Sequence, residues 1–177
     1  CRAASSIITK PTLNSVCPVS PDEAVRHEAS VSDVDTVIVA LGTTPRKFIA
    51  ETTIKKMIAA DKPVRGGRVL ILGLTFKENV PDIRNTRVID IIEELRSYGV
   101  ESLVHDPMAD ANETKHEYDI ELIELDGRES FDAVVYAVPH AAFETFDVND
   151  FVRLSGGQGA GHAKSPGVVV DVKSRLD

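Results

Sequence analysis

The segment RVLILG (68–73) constrains this chain more than any other stretch of its sequence. It is short, nearly all apolar and closed by a glycine, the pattern of a strand buried on both faces, as strands of parallel sheets are. A polar loop, LTFKENVPDIRN, follows it, and then the clearest helical stripe in the chain: Val88, Ile91, Ile92 and Leu95 at i, i+3, i+4 and i+7. Asn85 or Thr86 stands where a cap is expected, and Gly99 lies just past the end. ESLVHDP (101–107), DAVVYAV (132–138) and GVVVDV (167–172) are further strand candidates, with a weaker helix spanning His140–Leu154 between the last two. This alternation predicts an α/β fold, an open, mostly parallel, doubly wound Rossmann-like sheet with helices on both faces.

Upstream the pattern is less regular. Residues 1–32 show neither helical nor strand periodicity and are expected to form a poorly ordered leader. DTVIVALG (35–42) is a strand candidate, and Thr44 with Pro45 makes a good helix start. Ala50, Ile54, Met57 and Ile58 form the apolar stripe of that helix, which Pro63 stops. The expected organisation is a leader over 1–43, a helix over 44–62 and an α/β domain over 63–177. The leader opens on Cys rather than Met, so the chain is expected to be a piece of a longer protein.

At 177 residues, with 42% hydrophobic and 27% charged side chains, the chain is long enough for one domain with a real core. Its net charge of −8 argues against a nucleic-acid binder or a protein held to anionic lipid. No apolar run approaches the roughly 20 residues of a membrane span. Cys1 and Cys17 are too few for a disulfide scaffold or a metal knuckle, and Cys17 has no nearby group to activate it. A cytoplasmic, reducing-compartment domain is expected. The charge is uneven: 44–70 holds seven basic residues against two acids, and 101–150 holds fourteen acids against two bases.

Ligands of doubly wound sheets bind beyond the carboxyl ends of the strands, and only the loop 73–86 gathers a dense set of functional groups there. Gly73 lets the backbone turn. Phe76 can stack on a base or sugar, Lys77 and Arg84 can meet phosphates, and the following helix start offers N–H donors. The loop has one glycine where G-x-G-x-x-G needs three, and no P-loop signature occurs. GGQGAGH (156–162) precedes a strand and is expected to be a flexible connection. His105 with Asp106, and His140, end strands. Grip on a ribose or proton transfer is one reading of them, and plain turn chemistry is the other. His27, His116 and His162 lack metal-ligand spacing, so no metal site is expected.

KFIAETTIKKMI, GRVLILGLTFKENVPDIRNTRVIDIIEEL, VHDP, YAVPH and VVVDVKSRLD together resemble the C-terminal nucleotide-sugar-binding domain of the UDP-glucose/GDP-mannose dehydrogenases. Among these the likeness is greatest to bacterial UDP-N-acetylhexosamine 6-dehydrogenases of surface-polysaccharide synthesis. The resemblance runs over about residues 46–177 and implies oxidation of a sugar C6 alcohol to a carboxylate, with NAD held mainly by a domain absent from this chain. It implies that Phe76, Lys77 and Lys173 contact the UDP-sugar, that Arg84 reaches the NAD pyrophosphate, and that the protein is a homodimer. The family's G-G-x-C-x-x-x-D nucleophile motif is missing, since Cys1 is followed by RAAS and Cys17 by PVSP. No catalytic residue is therefore expected in this chain. A free-standing, non-catalytic nucleotide sensor is the alternative.

Overall fold

The computed structural model describes residues 27–31, 34–38, 46–156, 166–173 and 175–176, with the first two segments described as backbone. In chain order the elements are β1 (His27–Val31), β2 (Val34–Ile38), α1 (Arg46–Ala59), β3 (Arg68–Leu72), α2 (Val88–Ser97), β4 (Glu101–His105), α3 (Ala111–Tyr118), β5 (Ala133–Tyr136), a 3-10 turn (Ala141–Thr145), α4 (Val148–Leu154) and β6 (Gly167–Asp171). The strands form one six-stranded sheet in the order β1-β2-β6-β5-β3-β4. Among the described strands, β1–β2 is antiparallel, and β2–β6, β6–β5, β5–β3 and β3–β4 are parallel. This is the α/β, doubly wound architecture expected from the apolar runs.

Side chains alternate across the central strands, and each face has its own core. Val69, Ile71, Val135, Val168 and Val170 meet Ile49, Ala50, Ile54 and Met57 of α1 and Ile91, Ile92 and Leu95 of α2. Leu70, Leu72, Val134, Tyr136 and Val169 face Phe143 of the 3-10 turn and Phe151, Val152 and Leu154 of α4. Burying each such aliphatic side chain contributes about 1.5–3 kcal/mol. The sheet is therefore anchored by β3, β5 and β6, whose burial is nearly complete.

Several expectations are corrected. His27–Val31, assigned to the leader, is a strand antiparallel to β2. The inward stripe of α1 is Ile49, Ala50, Thr53, Ile54 and Met57, whereas Ile58 is 61% exposed. Position 58 follows Met57 by one residue and so turns 100° away from the core. The cap position of α2 falls on Arg87 rather than Asn85 or Thr86, although the Thr86 hydroxyl does accept from the Val88 amide. The helix expected over 140–154 is split, because Phe146 is extended and Asp147 starts α4 afresh with a capping box to Asp150. α3 was not anticipated. Thr44, Pro45, the end of the 35–42 run, both cysteines and most of GGQGAGH lie outside the described residues.

Candidate functional site

β3 and β5 are neighbours, yet the chain leaves them toward opposite faces: α2 lies on the α1 side, the 3-10 turn and α4 on the other. Such a switch point opens a crevice at the carboxyl ends of the two strands. There a hollow of about 260 Å³ is lined by Arg46 and Ile49 of α1, Thr75 and Phe76 of the loop after β3, Thr86, Arg87, Val88 and Ile91 at the start of α2, and Lys173 with Val172 after β6. Among the described residues, three cations and no carboxylate line it. The N-terminus of α2 adds the positive end of its dipole. The volume falls just below the roughly 300 Å³ at which small-molecule sites begin, so the hollow suits part of a ligand.

Local chemistry fixes the loop that forms one wall. Gly73 has φ +88°, and a Cβ there would lie 2.6 Å from that of Val138, so only glycine fits. Asp106, buried at the end of β4, accepts from the amides of Leu74 and Thr75 through Oδ2 and from those of Met108 and Ala109 through Oδ1. The Thr86 hydroxyl donates to the Leu74 carbonyl and closes the loop at its base. The Phe76 amide donates to the Asp82 carbonyl at 2.8 Å, and the Tyr118 hydroxyl of α3 donates to the Ile83 carbonyl at 2.8 Å. His140, fully buried, has Nε2 3.1 Å from Asp106 Oδ2 and 3.2 Å from Thr75 Oγ1. Burial opposes ionisation of Asp106, but the His140 bond and the amides of Leu74, Thr75 and Met108 outweigh it and hold the carboxyl far below its ordinary range.

The sequence-derived residues separate into two groups. Phe76 and Lys173 line the hollow. Lys77 stands exposed on the same turn, outside the lining. Arg84 is also exposed, and its Nε and terminal nitrogen donate to the two oxygens of Asp82 at 3.0 and 2.9 Å. That two-pronged bond, with the Arg84 backbone amide, holds the Asp82 carboxyl down at about 2. Lys173 Nζ sits 3.4 Å from Glu78 Oε1, and Arg175 lies 3.3 Å from the other oxygen of the same carboxylate. His105 donates from Nδ1 to the Ile123 carbonyl at 2.8 Å, which leaves it a structural tie. Arg46 and Arg87 were not singled out from the sequence. They come together from two helix starts 41 positions apart, and only the basic bias of 44–70 hinted at the first. Among the described residues no cluster of three or more His, Cys, Asp or Glu is placed to hold a metal. Likewise, no helix among them is long and apolar enough to cross a membrane.

Residues 70–177 match the model of the UDP-glucose/GDP-mannose dehydrogenase family, UDP binding domain. Protein CapL of Staphylococcus aureus is 41% identical over 131 residues, which are 74% of this chain and 29% of CapL. The UDP-N-acetyl-D-glucosamine 6-dehydrogenases of Salmonella typhi and Pseudomonas aeruginosa are 39% and 35% identical, over 71% and 73% of this chain and 28% and 29% of their own lengths. The chain thus spans less than a third of these relatives. Solved structures share the fold at low identity. An NDP-N-acetyl-D-galactosaminuronic acid dehydrogenase of Methanosarcina mazei Go1 superposes with a TM-score of 0.57 at 21% identity, over 74% of this chain and 26% of that one. A UDP-D-ManNAc dehydrogenase of Pyrococcus horikoshii gives 0.56 at 19%, over 75% and 28%. The chain belongs to the UDP-glucose/GDP-mannose dehydrogenase family and carries its UDP-binding domain.

Proposed function

We propose that this chain is the substrate-holding part of an NAD-dependent UDP-sugar 6-dehydrogenase, which oxidises the sugar C6 alcohol to a carboxylate for surface-polysaccharide synthesis. The observation that carries the reading is the hollow at the β3/β5 switch point, walled by Phe76 and ringed by Arg46, Arg87 and Lys173 in a domain of the UDP-binding family. A diphosphate meets those cations and the start of α2, while Phe76 packs on sugar or base and Lys77 reaches the sugar side from the turn. Lys173 exchanges its exposed contact with Glu78 for the ligand at little cost, since such surface pairs are worth about 0–1 kcal/mol.

The residues present do not make a dinucleotide site by themselves. No G-x-G-x-x-G occurs in the sequence. In this reading NAD supplies the hydride acceptor and is held mainly by a domain outside this chain, with Arg84 meeting its pyrophosphate from the rim. What these residues do is bind and orient the nucleotide end of the substrate. A homodimer, formed through the outer face of α1 where Ile58 is exposed, completes the proposal.

Titration with UDP, followed by amide chemical shifts, tests the site. Binding in the sub-millimolar to millimolar range is expected, about −4 kcal/mol at 1 mM. Shifts should concentrate at 74–88 and 172–173, and Lys173→Ala should weaken binding about three- to tenfold. Shifts confined to 120–160 would place the ligand elsewhere and refute the reading.

A further inference from the structure

The turn that carries Phe76 and Lys77 has little packing of its own. Phe76 is 60% exposed, Val80 is 39% exposed, and Asn79 at its far side has φ +59°, a conformation that side chains other than glycine adopt at a cost. Two bonds from outside the loop hold Asn79 there. Its backbone amide donates to His140 Nδ1 at 2.9 Å, and its side-chain Oδ1 accepts from the Ala141 amide at 2.8 Å. From within, the Thr75 hydroxyl donates to the Lys77 carbonyl at 3.1 Å.

The donors fix the state of the imidazole. A backbone N–H can only donate, so Nδ1 of His140 accepts and carries no proton. Nε2 then bears the hydrogen, and it faces Asp106 Oδ2 at 3.1 Å, with Thr75 Oγ1 at 3.2 Å. Asp106 follows β4, His140 follows β5 and Asn79 lies beyond β3, so one relay joins the carboxyl ends of three adjacent strands. The ring is fully buried, lies 5.7 Å from the Phe143 ring, and does not line the hollow.

We propose that His140 is a positioning residue of the nucleotide-sugar site: as the neutral Nε2–H tautomer, oriented by Asp106, it takes the Asn79 amide on Nδ1 and so sets the turn that presents Phe76 and Lys77. It touches no ligand and acts through the backbone of the turn. The proposal rests on the reading that Phe76 and Lys77 face a UDP-sugar.

Two variants separate the two ring nitrogens. His140→Asn keeps an acceptor where Nδ1 stands, whereas His140→Gln keeps a donor toward Asp106 and loses the acceptor for Asn79. The probe is UDP-N-acetyl-D-glucosamine, titrated onto the chain while amide exchange is followed at Asn79 and Phe76. His140→Gln should speed exchange at Asn79 and weaken sugar-nucleotide binding by about three- to tenfold, the range of one neutral hydrogen bond. His140→Asn should restore both to within about twofold of the original chain. Equal losses in the two variants, or none in either, overturn the proposal. If the variants do not fold, the nitrogen-15 spectrum of the unaltered imidazole decides: protonation at Nε2 with a bare Nδ1 supports it, and a proton on Nδ1 refutes it. If the unaltered chain binds no UDP-N-acetyl-D-glucosamine, the reading of the site falls. Exchange at Asn79 in the two variants still shows whether His140 sets the turn.

Discussion

Asp106 bears more of the site than its place at a strand end suggests. Its two oxygens take four backbone amides and the His140 ring, so replacing one oxygen with an amide group sets a donor against donors. Asp106→Asn should therefore cost about 1–3 kcal/mol for each amide left unpaired, read as a lower urea midpoint at neutral pH. The sign of the pH effect follows from its carboxyl being held below the ordinary range. That stabilisation is complete above the unfolded value of about 4 and drains away as pH falls from there toward the folded value. The gap between the original chain and Asp106→Asn should narrow on acidification below about pH 4, and a constant gap would show that ionisation is not the source. The sequence offered Asp106 only as turn chemistry, a ribose grip or a proton-transfer group. Nothing local marks a carboxylate that will be buried by loops arriving from 32 residues upstream and 34 downstream.

Elements with an apolar signature were legible and those without one were not. β3, β5, β6 and α2 bury nearly every residue that their pattern exposed. α3, with the sequence ANETKHEY, buries only Thr114 and owes its place to the Asp110 cap and the Tyr118 bond to the loop, which periodicity does not report. The site was half legible for the same reason. Phe76 and Lys173 sit on segments that end strands, but Arg46 and Arg87 join the hollow through tertiary packing of α1 against α2. On α1 the distinction between Ile54 and Ile58 makes a test. Ile54 is in the core and Ile58 is exposed. Ile54→Asp should destabilise the fold by about 3 kcal/mol or more, as a buried unpaired charge does. Ile58→Asp should leave the Tm of a monomeric chain unchanged within about 2 °C; if the outer face pairs two copies, it should convert the dimer to a monomer by light scattering and lower Tm with the loss of association. A monomeric parent chain, or a dimer indifferent to Ile58→Asp, would remove that face as the interface.

Positive charge gathers at the switch point, where Arg46, Arg87 and Lys173 line one hollow, although the chain as a whole carries a net charge of −8. Whether that hollow is part of a dehydrogenase site or belongs to a complete sensor turns on Lys77 and Arg84. In a sensor both cations serve the same ligand, and losing either weakens UDP-sugar binding alike. In a dehydrogenase part they serve different clients, and the structure gives them different surroundings: Lys77 exposed on the turn that His140 holds, Arg84 gripped by Asp82 at the rim. A charged hydrogen bond is worth about 1.5–3 kcal/mol when buried, and solvent at an open hollow reduces it. Lys77→Ala should therefore cost about three- to tenfold in UDP-sugar affinity, and Arg84→Ala less than about twofold, both by the same titration. In a full-length enzyme Arg84→Ala should instead raise the KM for NAD and leave that for the UDP-sugar nearly unchanged. Equal losses of UDP-sugar affinity for the two variants of this chain would favour the sensor and end the dehydrogenase reading.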